Sequence, residues 1–111
     1  MMDVKYYTLK VDEATELRLR LTAHTAQEVQ KKLGVGILEA LAQMGRDPVK
    51  VITTVLWGAS QALEHNITLE AAEEIYDKLV DNGYTLDEFA SLINEIYVVS
   101  GFFKKAQGKK E

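Results

Sequence analysis

The stretch PVKVITTVLWGASQALEH, Pro48 to His65, decides the fold, because it carries no charged residue between Val51 and Leu63. Asp47 before it can accept a hydrogen bond from an early backbone N–H. Pro48 costs nothing at the first helical position, where its missing N–H would have no partner. The spacing predicts a helix. Val49, Ile52, Leu56, Ala59 and Leu63 form one apolar stripe, and Val51, Val55, Trp57 and Ala62 extend apolar surface around most of the circumference. Such a helix belongs at the centre of a domain, with Trp57 within or against the core. It is too short, and too closely bracketed by Lys50 and Glu64, for the roughly 18 to 20 apolar residues of a membrane span.

Around this helix the chain has the size of one domain, and a hydrophobic fraction of 47% suffices for a single core. The absence of cysteine removes disulfides and thiolate metal sites. The opening MMDVKYYTLKV has charges where an export signal needs an apolar run, so a cytoplasmic protein is expected. Charge is unevenly spread. Residues 104 to 111, KKAQGKKE, hold four of the 13 Lys and Arg but one of the 17 Asp and Glu, so nine cations face sixteen acids in the rest. An acidic body argues against nucleic acid, whose phosphates are met by cations.

Before the central helix, Tyr7, Leu9 and Val11 alternate with polar residues, and Leu17, Leu19 and Leu21 alternate with Arg18 and Arg20. This period of two predicts a β-hairpin over residues 4 to 22, with a turn near DEAT. Its leucine face must lie on helices or on the hairpin of another subunit, since a two-stranded ribbon is marginal alone. Lys5, Lys10, Arg18 and Arg20 would guard its edges. Thr25-Ala-Gln-Glu28 fits a capping box and predicts a helix from about Ala26. Gly34 suits its end, and ILEALAQM forms a further short helix up to Gly45.

After the central helix, Thr68 can cap LEAAEEIYDKLVDN, with Leu69, Ala72, Ile75, Tyr76, Leu79 and Val80 inward and Glu70, Glu73, Glu74 and Asp77 outward. Gly83 is placed to end it. Thr85-Leu-Asp-Glu88 is a second capping box, and Tyr84 and Phe89 stand at the positions of a hydrophobic staple. That helix runs to Ser100, where Gly101 can turn Phe102 back towards Tyr97, and residues 104 to 111 form a flexible basic tail. The fold class is α+β, mostly α: a hairpin followed by four to five helices in one domain, residues 1 to 103.

No chemical centre emerges from the residue types. His24 and His65 have no further ligand at a metal-like spacing, and the carboxylates between Glu70 and Glu95 lie on the polar sides of helices. No serine pairs with a histidine and an acid. Neither enzyme, cofactor nor metal is expected. A regulatory nucleic-acid binder built as a helix-turn-helix on the last two helices is the alternative reading. Yet residues 66 to 95 hold one Lys and eight acids, and a recognition helix beginning Leu86-Asp87-Glu88 would point carboxylates at the DNA backbone.

In the order RLRLTAHTAQEVQKKLG, a hinge, then VITTVLWGASQALEH, ITLEAAEEIYDKLVDNGYTLDEF and a closing VVSGFF, the chain resembles the tail assembly chaperones of long, non-contractile-tailed phages and prophages of Gram-positive bacteria. The resemblance implies a helper absent from the mature virion. It would bind the tape measure protein, keep that protein's apolar helices soluble and recruit tail tube protein around it. A frameshifted longer form is also implied, and the Lys104-Lys105 and Lys109-Lys110 pairs are where adenine runs could encode the slip. Leu17, Leu19 and Leu21, with Phe102 and Phe103, are the surfaces expected to meet partners, including further copies of the chain.

Overall fold

The structure is a computed structural model and describes residues 5–63 and 67–103. The elements follow in the order β1 (Tyr7–Lys10), β2 (Glu16–Leu19), α1 (Ala23–Leu33), α2 (Ile37–Gln43), α3 (Pro48–Gln61), α4 (Leu69–Asp81) and α5 (Leu86–Val99). The strands pair antiparallel, Tyr7 opposite Leu19 and Leu9 opposite Leu17, which places the leucines on one face. The architecture is therefore α+β, mostly α, an N-terminal hairpin followed by five helices.

α3 begins as the residues dictate, with the Asp47 carboxylate accepting from Lys50 N–H at 3.3 Å and Pro48 in the first turn. Every residue from Val51 to Leu56 is buried, as are Gly58, Ala59 and Ser60, so the helix is enclosed on nearly all sides. Two of its three buried hydroxyls find local acceptors: Thr53 donates to Val49 O at 2.8 Å and Ser60 to Trp57 O at 2.9 Å. Trp57 is half-buried against the core. Two expectations about this helix are corrected. It stops at Gln61, with Ala62 and Leu63 already in a turn, and His65 lies outside the described residues. Val49, assigned to the core stripe, is 48% exposed, because the first turn stands at the mouth of a hollow lined also by Leu69 and Glu73.

The hairpin is fastened to the helices by backbone as well as by leucines. Arg20 N–H donates to Ala59 O at 3.0 Å and Leu21 N–H to the Ser100 hydroxyl at 2.8 Å, so the end of β2 is held against α3 and α5. At the other end of the ribbon, Asn82 Nδ2 donates to Val11 O at 2.9 Å and Lys78 lies 3.5 Å from Asp12. Ala14 N–H donates to the Asp12 carboxylate at 2.9 Å, the main reason that this carboxyl titrates below its usual range.

α1 starts one turn before the predicted capping box. Thr22 is the N-cap, accepting from Thr25 N–H at 3.2 Å, while Thr25 Oγ1 accepts from Thr22 N–H at 2.8 Å. Glu28 is thereby left to pair with Lys31 at 3.5 Å. α1 approaches α3 closely at Gly58, where a Cβ would fall 2.2 Å from Val29 Cγ2, so a larger residue fits only if the Val29 side chain or the helices give way.

α4 and α5 obey their predicted caps. Thr68 Oγ1 accepts from Ala71 N–H at 3.0 Å, and Thr85 and Glu88 cap each other's backbone at 3.0 and 3.3 Å. Tyr84 leans on Phe89 with ring centroids 5.1 Å apart, and Tyr76 stacks on the same ring at 4.7 Å. Ala72 and Leu79 are buried, Leu69, Ile75 and Tyr76 half-buried, and Glu70, Glu73, Glu74 and Asp77 exposed. Val80, expected inward, is 44% exposed, since one residue beyond Leu79 turns it about 100° away from the buried stripe. Positive φ at Gly34, Gly83 and Gly101 marks the turns that follow α1, α4 and α5.

Tyr97 ties the two ends of the helical part together. Its ring is fully buried and its hydroxyl donates to Ile37 O at 2.8 Å, bringing the start of α2 onto α5. Burial pushes this phenol up to about 12.

Candidate functional site

The two surfaces nominated for partners differ in the structure. Leu17, Leu19 and Leu21 are 9%, 0% and 1% exposed, sealed within the chain's own core by the helices. Of the two ways to cover the leucine face, the intramolecular one is used. The face therefore offers nothing to a partner while the domain is folded, and covering it requires no second subunit.

Phe102 and Phe103 remain at the surface of the domain's end. Gly101, at φ 89, reverses the chain after α5, and Phe102 N–H donates to Tyr97 O at 2.9 Å. The Phe102 ring meets the edge of Tyr97 at 5.7 Å, and Phe103 lies tilted at 5.6 Å from the same ring. Phe102 is 40% exposed and Phe103 half-buried, an aromatic end resting on a buried tyrosine. The basic tail, residues 104 to 111, lies outside the described residues.

Two hollows along α3 were not anticipated. One, of about 540 Å³, is lined by Thr22, His24, Glu28 and Trp57 among others, with Lys32 Nζ 4.8 Å from the Trp57 ring centroid. The other, of about 470 Å³, is lined by Lys32, Lys50, Thr54, Leu69 and Glu73, with Val49 at its rim. Thr54 is 3% exposed, and its hydroxyl has no hydrogen-bond partner among the described residues. The pair Thr53-Thr54 inside a charge-free helix was the one trace of this in the sequence.

A smaller hollow of about 270 Å³ lies where Tyr7 and Tyr84 meet Glu88 and Glu95. Desolvation, then the neighbouring Tyr7 and Glu88, raise the Tyr84 phenol. On α4 and α5 the acids at 70, 73, 74, 77, 81, 87, 88 and 95 are all exposed, so the helix pair presents negative charge where a DNA reader would present cations. His24 is exposed, and among the described residues no group of three His, Asp or Glu side chains is placed to hold a metal ion. No described helix is long and apolar enough to cross a membrane.

Against known proteins, residues 5–111 match the model of DUF6096, a family of unknown function. No curated protein and no solved structure matches the chain.

Proposed function

Starting from a chain that belongs to the DUF6096 family, we propose that it is a non-catalytic tail assembly chaperone of a phage or prophage, acting in the host cytoplasm and absent from the finished virion. In this reading it binds the tape measure protein, keeps that protein's long apolar helices from aggregating, and recruits tail tube protein; further copies of the chain are also partners. The observation that supports it is an acidic domain that retains open apolar ground, Phe102 at the end of α5 and Val49 and Trp57 along α3, after its own core is complete. Apolar surface of this kind serves association, and an acidic exterior keeps the assemblies dispersed. The leucines of the hairpin have no place in the contact, since the fold consumes them.

The test is co-expression with the tape measure protein that this reading expects to be encoded beside this chain's gene. The long protein is expected to move into the soluble fraction and to co-purify with the chaperone. If it remains insoluble to the same extent with and without this chain, the reading fails. A gene position between a tail tube gene and a very long helical gene is expected, whereas a divergent, promoter-proximal position would favour a regulator.

A further inference from the structure

We infer that Asn82-Gly83 is a deamidation site that the closed hairpin holds silent and that opening of the hairpin's turn end releases. Asparagine is among the thermolabile residues, and one followed by glycine is the most open to this chemistry, because no side chain on the second residue shields its amide nitrogen. Asn66 and Asn94 precede Ile67 and Glu95 instead. The Gly83 nitrogen, on losing its proton, attacks Asn82 Cγ. The new C–N bond closes an imide ring, the Cγ–Nδ2 bond breaks, and ammonia leaves with a proton taken back from solvent. Water then opens either ring C–N bond and leaves aspartate or isoaspartate at position 82.

Both reacting groups are held elsewhere in the fold. Asn82 stands exposed just past α4, yet its Nδ2 donates to Val11 O at 2.9 Å. Gly83 N–H donates to Val80 O at 3.0 Å. The Asn82 ψ of 10° sets the Gly83 nitrogen nearly in line with Asn82's own backbone nitrogen, and so away from the Cβ that carries the amide. Ring closure therefore requires both hydrogen bonds to break and the peptide to rotate. Room exists once they do, since a Cβ built on Gly83 would meet nothing within 4 Å.

The lock sits at the end of the ribbon that is less firmly fastened. Val11 is 2% exposed, so its carbonyl leaves Asn82 only when this end lifts from the core. Beyond Val11 the turn is held to α4 by Asp12 and Lys78, 3.5 Å apart, an exposed pair that salt screens. The other end is bonded to α3 and α5 through the amides of Arg20 and Leu21. The reaction runs one way. A carboxylate at position 82 has no proton to give Val11 O and adds negative charge next to Asp81 and near Asp12. Isoaspartate also lengthens the main chain just ahead of the turn that sets Tyr84 on Phe89. Each conversion thus records one opening of the turn end and leaves that end unfastened.

The full chain is held in mildly alkaline buffer, folded and in denaturant, and conversion at position 82 is followed by peptide mass spectrometry, with isoaspartate read by enzymatic methylation. Conversion is expected in denaturant, and at least about tenfold more slowly in the folded chain, because two hydrogen bonds must break first. Asp12→Ala and, separately, Lys78→Ala remove the ion pair from either side. Each variant that keeps the parent's circular dichroism should convert about two- to tenfold faster than the folded parent. Asn82→Asp stands for the aspartate product. It should raise amide exchange at Val11 and Thr15, which donate to Thr15 O and Asp12 O within the turn, about threefold or more, while Arg20 and Leu21 stay protected. Equal rates in the folded and denatured chain would show that the fold guards nothing, and no conversion in denaturant would show that the site is inert. Unchanged rates in the folded variants, or unchanged exchange in Asn82→Asp, would show that the hairpin is not the gate. Any of these outcomes overturns the inference.

Discussion

The leucine face of the hairpin and the edge of α3 that carries Val49 and Trp57 both hold apolar side chains beside cationic ones, yet only the first is covered completely by the chain itself. At the hairpin, Leu19 and Leu21 are at most 1% exposed and the adjacent backbone is bonded to Ala59 and Ser100. Along α3, Val49 is 48% exposed and Trp57 half-buried with Lys32 over its ring, while the enclosed Thr54 has no hydrogen-bond partner among the described residues. Periodicity identifies an apolar side; it does not say which molecule covers it.

The sharpest way to break this contrast is to place one carboxylate on each surface. Leu19→Glu buries a charge with no counterion and is expected to remove about 4 kcal/mol or more, enough to unfold the domain outright. Val49→Asp, on the exposed rim, should change stability by no more than about 0.5 kcal/mol. Denaturant titration followed by helical circular dichroism reads both, and equal effects would erase the distinction between a closed face and an open one.

Next in size is the closeness of α1 to α3. Gly58→Ala drives a methyl group against Val29 and is expected to cost about 1 to 3 kcal/mol. Adding Val29→Ala should make the pair of substitutions less costly than the two separate losses together, by the coupling expected of groups in contact. Strict additivity of the two midpoint shifts would mean that the helices are not pressed together there.

These packing details were beyond sequence reading, whereas the caps were not. Asp47 with Pro48, Thr68, and Thr85 with Glu88 are local devices whose partners lie three residues away, so they could be read directly from spacing. The failure at α1 is instructive because Thr22 and Thr25 compete. Thr25 with Glu28 is the better box on paper, but the bonds from Arg20 to Ala59 and from Leu21 to Ser100 hold the chain up to residue 21, and Thr22 is the first residue free to cap. For the same reason the aromatic end was legible, since Gly101 and Phe102 fold onto Tyr97 five residues back, while the α3 hollows were not, since they are assembled from α1, α3 and α4.

A smaller effect should appear with pH at the joint between α2 and α5. The folded state holds the Tyr97 phenol protonated up to about 12, against about 10 in the unfolded chain. The stability this gives is present in full below pH 10 and is lost as pH rises towards 12, by about 1.4 kcal/mol per unit at most. Tyr97→Phe should cost about 0.5 to 1.5 kcal/mol at neutral pH, where Ile37 O loses its donor. The variant should also flatten the alkaline slope. An unchanged slope would assign the alkaline loss to other groups. Smallest of all, removing residues 104 to 111 should shift stability by no more than about 0.5 kcal/mol, and a larger loss would show that the tail belongs to the fold.

The direct test of the closed hairpin is amide hydrogen exchange on the full chain, diluted until sedimentation shows only monomer. The amides of Arg20 and Leu21, which donate to Ala59 O and to the Ser100 hydroxyl, are expected to be as strongly protected as those in the middle of α3, at every concentration. Rapid exchange at Arg20 and Leu21 in the monomer, with protection returning only as concentration rises, would show that the hairpin is covered by a second molecule.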